Sequence, residues 1–209
     1  MLFETLRADL ARKKQWYRKD QGSLISDLAV LLSQGSIALV TFRYGHWAHH
    51  KFKNPILKIL FKLPYWIVAP LVISLTQIRI SVRANIGKGF VIHGFSGIII
   101  ADATIGENCT VYQQVTIGRG RPYRGDSREK MRPPPRLGNN VFLAAGAKVI
   151  GDVVIGDNVV VAPNSVVIAS VPSNCTVIGV PAKVAWRDTR WLKQTGDRKS
   201  ANGGDSKTL

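Results

Sequence analysis

The chain has 209 residues, 45% of them hydrophobic, and carries 29 Lys+Arg against 13 Asp+Glu, a formal net charge of +16. That length and apolar share exclude a disordered protein and allow one good core plus a smaller helical element. The charge surplus suits anionic lipid or phosphorylated substrates. No helix–turn–helix or aromatic stacking platform accompanies it, so nucleic acid is not an expected partner. Cys109 and Cys175 lie far apart without CxxC spacing, which indicates neither a disulfide framework nor a zinc site; no metal is expected. Met1–Asp9 is charged and lacks the apolar core of a secretion signal, so the expected location is cytoplasmic.

Residues 1–79 read as helical. In "LFETLRADLARKK", Leu2, Leu6 and Leu10 share one helix face. Ser23 is placed to cap a second helix, "SLISDLAVLLS", which breaks at "SQGS" before a third, "IALVTFRYGHWAHHKF". In "NPILKILFKLPYWIVAPLVISLTQIRI" the uncharged run Leu63–Gln77 contains Pro64 and Pro70 and is short for a membrane span of ~20 residues. Lysines 51, 53, 58 and 62 precede it, and Tyr65 and Trp66 stand near its start. Segment 55–78 therefore reads as lying in a membrane interface, which would make the protein peripheral on the inner membrane face. A helix packed within an oligomer interface is the other reading.

Residues 80–184 set the fold class. From Leu137 the chain divides into LGNNVF, LAAGAK, VIGDVV, IGDNVV, VAPNSV and VIASVP, each opening on Leu, Val or Ile with Val, Ala or Ser fifth. The period recurs at Ile80, Ile86 and Ile92, and at Ile105, Val111 and Ile117. Such a repeat predicts a mainly β chain: a parallel β-helix in which three hexapeptides make one turn, the aliphatic residue points inward and the small one sits near a corner. Ile92 and Ile105 are 13 apart rather than 12, so one extra residue enters beside His93. Residues 119–136, "RGRPYRGDSREKMRPPPR", leave the period and carry six arginines and a lysine against Asp126 and Glu129. A loop of that length ejected from a solenoid is expected to contact ligand or acceptor. Residues 185–209 read as a polar tail.

The closing stretch "APNSVVIASVPSNCTVIGVPAKV" resembles the serine acetyltransferases of the hexapeptide acyltransferase superfamily. "LGNNVFLAAGAKVIGDVVIGDN", "VTIG", "LFETLRADL" and "YGHWAHH" extend the resemblance over most of residues 2–186. It implies a left-handed coil, a homotrimer or dimer of trimers, acetyl-CoA as donor and transfer to a hydroxyl oxygen. CoA would lie between coils of adjacent subunits, at Ala145, Gly146 and Ala147 of "AAGAK", Ser165 of "PNSVV", and Gly179, Pro181 and Lys183 of "GVPAK".

The catalytic stretches match less closely. Where the family has "TGIDIHPGA" this chain has "TQIRISVRA", with Arg79 for the acid and Ser81 for the histidine. Pro133 and Pro134 replace the Arg and His of "RHPKIG", and Arg132 stands one place away. Against "DHGTG", counting from Ile86 without a gap sets His93 on the Asp and Gly94 on the histidine; counting back from Ile105 sets His93 on the histidine. The second count is preferred, because O-acetyl transfer needs a base and a neutral imidazole suits it. Asp102, Asp126 and Glu129 are the candidates to orient that base. Arg79 and Arg132 are the expected acceptor contacts. The altered charges and basic loop favour a sugar or polysaccharide-precursor acceptor, as in the exopolysaccharide branch, with serine as the alternative and a non-catalytic scaffold as the second.

Overall fold

A computed structural model describes residues 2–17, 24–52, 54–94, 96–120 and 133–186. Four helices come first: α1 (Leu2–Tyr17), α2 (Leu24–Leu32), α3 (Gln34–Lys51) and α4 (Pro55–Thr76). Residues 18–23 lie outside the described set, and with them the cap expected at Ser23. Between α2 and α3 the chain breaks at Ser33, whose hydroxyl donates to the Val30 carbonyl and accepts from Lys13 Nζ. α4 begins at Pro55, where a missing N–H costs nothing, with the Asn54 side chain accepting from the Ile56 amide. It ends at Gln77 in the left-handed region, φ 54°. It is therefore one continuous helix, and within it Ile56–Thr76 is long and apolar enough to cross a membrane by length and composition.

The rest is a parallel β-helix with three faces. One face stacks β1 (Ile78–Ile80), β4 (Ile98–Ile100), β7 (Thr116–Gly118), β10 (Lys148–Ile150) and β13 (Val166–Val167). A second stacks β2 (Asn85–Ile86), β5 (Thr104–Ile105), β8 (Arg136–Leu137) and β11 (Val154–Ile155). The third stacks β3 (Val91–Ile92), β6 (Thr110–Val111), β9 (Phe142–Leu143), β12 (Val160–Val161) and β14 (Thr176–Gly179), closed by the antiparallel β15 (Ala182–Trp186). Leu137 pairs with Ile155, a turn of 18 residues, whereas Ile105 to Leu137 takes 32. The difference is the excursion after Gly118, of which residues 121–132 lie outside the described set.

Every hexapeptide opener from Leu137 to Val167 is at most 5% exposed. The fifth residues, Val141, Ala147, Val153, Val159, Ser165 and Val171, are buried as well. Each stands two residues before the next opener, and residues two apart in extended chain point to the same side. Both positions therefore build the interior, rather than one building the interior and one a corner.

Between the second and third faces, Asn108, Asn140, Asn158 and Asn174 take left-handed φ values of 55–60°. Asparagine tolerates that conformation better than most residues. The stacked side chains also bond, Asn140 Nδ2 to Asn158 Oδ1 at 3.0 Å and Asn158 Nδ2 to Asn174 Oδ1 at 2.8 Å.

The helices are locked to the first coil turns by a buried ion pair. Arg43 Nε donates to Asp9 Oδ2 at 2.9 Å, and its other nitrogens reach the carbonyls of Ile86 and Gly87. Asp9 Oδ1 in turn accepts the Phe90 amide. Burial pushes the Asp9 carboxyl up against the opposing pull of Arg43. His46 donates through Nδ1 to the Val82 carbonyl at 2.9 Å, so this histidine fastens α3 to the coil.

Candidate active site

The third and first faces meet at a corner built from small residues and amides. Rung by rung it holds Gly94 and Gly97, then Gln113 and Gln114, then Ala145 and Gly146, then Asn164 and Ser165. Hydrogen bonds tie the rungs: Gly146 N–H to the Gln113 carbonyl, Asn164 N–H to the Ala145 carbonyl, and Gly179 N–H to Ser165 Oγ at 3.1 Å. Gly146 has φ +73°, and a methyl there would collide with the Asn164 side-chain oxygen. Lys148 Nζ bonds the Gly146 carbonyl at 3.2 Å, and Lys183 is exposed on β15, paired with Ile178.

Four of the seven expected donor contacts, Ala145, Gly179, Pro181 and Lys183, thus have surface on this corner or the hairpin that closes it. Gly146, Ala147 and Ser165 are buried in the single chain. Ala147 is 0% exposed and belongs to the coil interior, its amide bonded to the Ala144 carbonyl. Ser165 is also 0% exposed, and its hydroxyl is occupied by Gly179 N–H and the Pro163 carbonyl. Both are fifth-place residues, whose side chains the repeat turns into the coil interior.

His93 directly follows β3, its amide bonded to the Val111 carbonyl. Its ring stacks on Tyr112, centroids 5.2 Å apart and planes 21° from parallel, and Trp16 of α1 meets it edge-on at 4.8 Å. Burial lowers its pKa to about 4, helped by the positive charges of Lys13 and Arg12. The imidazole is therefore neutral across ordinary working pH. Arg12 is itself anchored, with Nη1 donating to the Gly89 and Cys109 carbonyls. No motif in the sequence announced that α1 would cover this ring.

The strand register shows how the residues around His93 divide between corner and side. Val91 pairs with Thr110 and Ile99 with Thr116, so this corner takes eight residues where the next rung takes six. The following side, Ile99 to Thr104, takes five, where Lys148 to Val154 takes six. The short side lies beyond the histidine stretch. Gly94 has φ +98°, and a Cβ there would lie 2.7 Å from Gln113 Oε1. A side chain at that position would be strained.

Asp102 takes a different part from the one expected. One oxygen accepts from Ser81 Oγ at 2.7 Å and the other from Arg119 Nη2 at 3.1 Å. The two residues at altered positions, Arg79 and Ser81, flank the buried Ile80 on the first face, and Arg79 is exposed. Arg132, Asp126 and Glu129 lie outside the described residues. Among the described residues no group of three His, Cys, Asp or Glu is arranged to hold a metal ion.

A stack of hexapeptide rungs with a small-residue corner closed by a lysine-bearing hairpin defines the class of hexapeptide transferases. The family model "Bacterial transferase hexapeptide (six repeats)" matches residues 134–169. A serine acetyltransferase of Synechococcus elongatus is 34% identical over 187 residues, covering 89% of this chain and 70% of that protein. The crystal structure of serine acetyltransferase from Brucella abortus strain S19 superposes with a TM-score of 0.69 at 28% identity, over 89% of this chain and 69% of that one. The same enzyme in complex with coenzyme A also gives 0.69, at 27% identity, over 89% and 68%. The chain belongs to the serine acetyltransferase family.

Proposed function

We propose that the protein transfers an acetyl group from acetyl-CoA to a hydroxyl oxygen, with serine as the acceptor. The observation that carries this reading is a family likeness that includes the helices as well as the coil, with relatives named serine acetyltransferase. It supports serine better than the saccharide acceptor expected from the altered charges. The related structure bound to coenzyme A supports the same donor here. The corner suits a thin pantetheine arm, since Gly94, Gly97, Ala145 and Gly179 add little bulk beside the amide side chains of Gln113, Gln114 and Asn164. Lys183, on the hairpin beyond, supplies a charge for phosphate. A neighbouring coil in a homotrimer or dimer of trimers would close the other wall.

In this proposal His93 acts as the base. Its neutral ring takes the proton from the acceptor hydroxyl as that oxygen attacks the thioester carbonyl. The C–S bond of the tetrahedral intermediate then breaks, and the imidazolium returns the proton to the departing thiolate. No acetyl-enzyme is required. A base with pKa about 4 gives less driving force for proton removal than one near neutrality, so a slow enzyme is expected.

One observation favours a larger saccharide acceptor as the second reading. Arg79 stands exposed where the family carries an acid, and a serine ammonium would meet a positive charge there. Acetyl-CoA labelled in the acetyl group, incubated with serine and with a panel of nucleotide sugars and oligosaccharides, separates the two by the identity of the labelled product. Labelled O-acetylserine supports the proposal. Label on a saccharide alone would replace serine, and label on nothing would leave a scaffold.

A further inference from the structure

α4 turns toward solvent the side of a helix that ordinarily faces a core. Its inward residues Phe61, Tyr65, Ala69 and Val72 recur at three- and four-residue spacing. They meet α3: Phe61 packs on Trp47, Tyr65 closes over Gly45, and Ala69 and Val72 border a cleft shared with Ala38 and Phe42. Outward, Ile56, Leu60, Leu63, Ile67, Leu71 and Leu75 form one stripe along the whole helix, each at least half exposed. Trp66, 59% exposed, stands beside the stripe at mid-length. A helix of 22 residues is ~33 Å long, so this apolar surface exceeds what a soluble monomer ordinarily leaves open.

Charge indicates what covers it. Every charged side chain between Asp27 and Asp102 is a lysine or arginine. Lys51 precedes α4, Lys58 and Lys62 flank its first half, and Arg79 and Arg83 follow it. A second copy seated on the stripe would bring the cations at the helix ends, Lys51, Arg79 and Arg83, toward one another, with no acidic residue of the stretch between Asp27 and Asp102 to offset them. An anionic lipid surface offers phosphate to the cations, hydrocarbon to the stripe and a headgroup zone for Trp66.

The helix lies along that surface rather than through it. α3 is packed along α4, and Arg43 of α3 holds Asp9 and the carbonyls of Ile86 and Gly87. A crossing α4 would draw that ion pair into hydrocarbon, which is costly. Pro64 and Pro70 also leave the carbonyls of Leu60 and Trp66 without an amide donor four residues on, and headgroup water can supply one. We infer that α4 docks the enzyme in the plane of an anionic membrane surface through its Ile56–Leu75 stripe. This holds whichever hydroxyl is acetylated.

The test is co-sedimentation of the purified full-length chain with vesicles of phosphatidylcholine, alone or mixed with phosphatidylglycerol. The wild type is compared with Ile67→Glu/Leu71→Glu, whose changes lie at exposed positions and whose fold is checked by circular dichroism. The expected result is pelleting with the anionic vesicles, reduced at high salt, and a loss of about tenfold or more in the variant. Three results would overturn the inference: no pelleting by the wild type, equal pelleting by the variant, or retention of the wild type on vesicles after alkaline carbonate, which marks a crossing helix. If neither form binds vesicles and the variant has the smaller assembly, a second copy covers the stripe instead.

Discussion

Trp16 lies edge-on over the imidazole of His93, ring centroids 4.8 Å apart, and so joins the first helix to the end of the first full rung. With Tyr112 stacked on the ring, the contact holds the imidazole in an apolar setting where its charged form is disfavoured. Two pH effects follow. In the unfolded chain this histidine titrates near 6.5, and in the folded one at about 4. Between those values the unfolded chain binds a proton that the folded chain refuses. Stability therefore falls as pH drops from about 6.5 to about 4, and this group adds no further slope below. Thermal melts across that range are expected to show the slope in wild type and a flatter profile in His93→Phe, which keeps an aromatic ring. If His93 is the base, the acid limb of kcat/KM falls near pH 4, not near 6.5.

Removing the Asp9 carboxylate leaves Arg43 buried without its counter-charge. Breaking a buried pair from one side costs about 3–5 kcal/mol. Asp9→Ala is expected to lose stability on that scale in denaturant melts, whereas Asp9→Ala/Arg43→Met is expected to recover part of it. The pair is 0% and 6% exposed in its side chains, so salt is expected to screen it little.

The asparagine ladder makes a more local prediction. Asn158 bonds both Asn140 and Asn174 and sits at φ 55°. Asn158→Ala removes two side-chain bonds and places a residue less tolerant of that conformation at the corner. A loss of about 1–3 kcal/mol is expected in urea melts. Asn158→Gly, which restores conformational freedom but not the bonds, is expected to lie between the two.

Two substitutions examine the corner as a donor site. Gly146→Ala drives a methyl into the Asn164 side-chain oxygen at a positive φ and is expected to raise KM for acetyl-CoA while lowering stability. Lys183→Ala is expected to raise KM for acetyl-CoA by about three- to tenfold with little change in kcat, as loss of an exposed phosphate contact does. The Lys183 effect shrinks at high salt, and steady-state kinetics at two ionic strengths checks it.

The coil was legible because its period is short and each opener, from Leu137 to Val167, meets the same interior. The three-faced stack and the break at Ser33 follow from pattern alone. An alanine at the fifth place serves equally as corner or core, and the two-residue offset of Ala147 from the next opener, Val149, is what turns its side chain inward. The count through His93 could not be settled from sequence, since eight residues followed by five sum to the same 13 as other divisions. Long-range side-chain geometry was also out of reach: Asp9 meets Arg43 across 34 residues, and Trp16 meets His93 across a still longer span. Lys58 and Lys62 interrupt the apolar run of α4 in sequence, yet both sit on its inward flank and leave the exposed stripe unbroken.

The most direct measurement is free-thiol release from acetyl-CoA by the purified protein with serine present, for wild type and His93→Ala. Serine-dependent release that falls at least about a hundredfold in the variant is the expected result. Release that is independent of serine, or unchanged in His93→Ala, would contradict serine acetylation by this base.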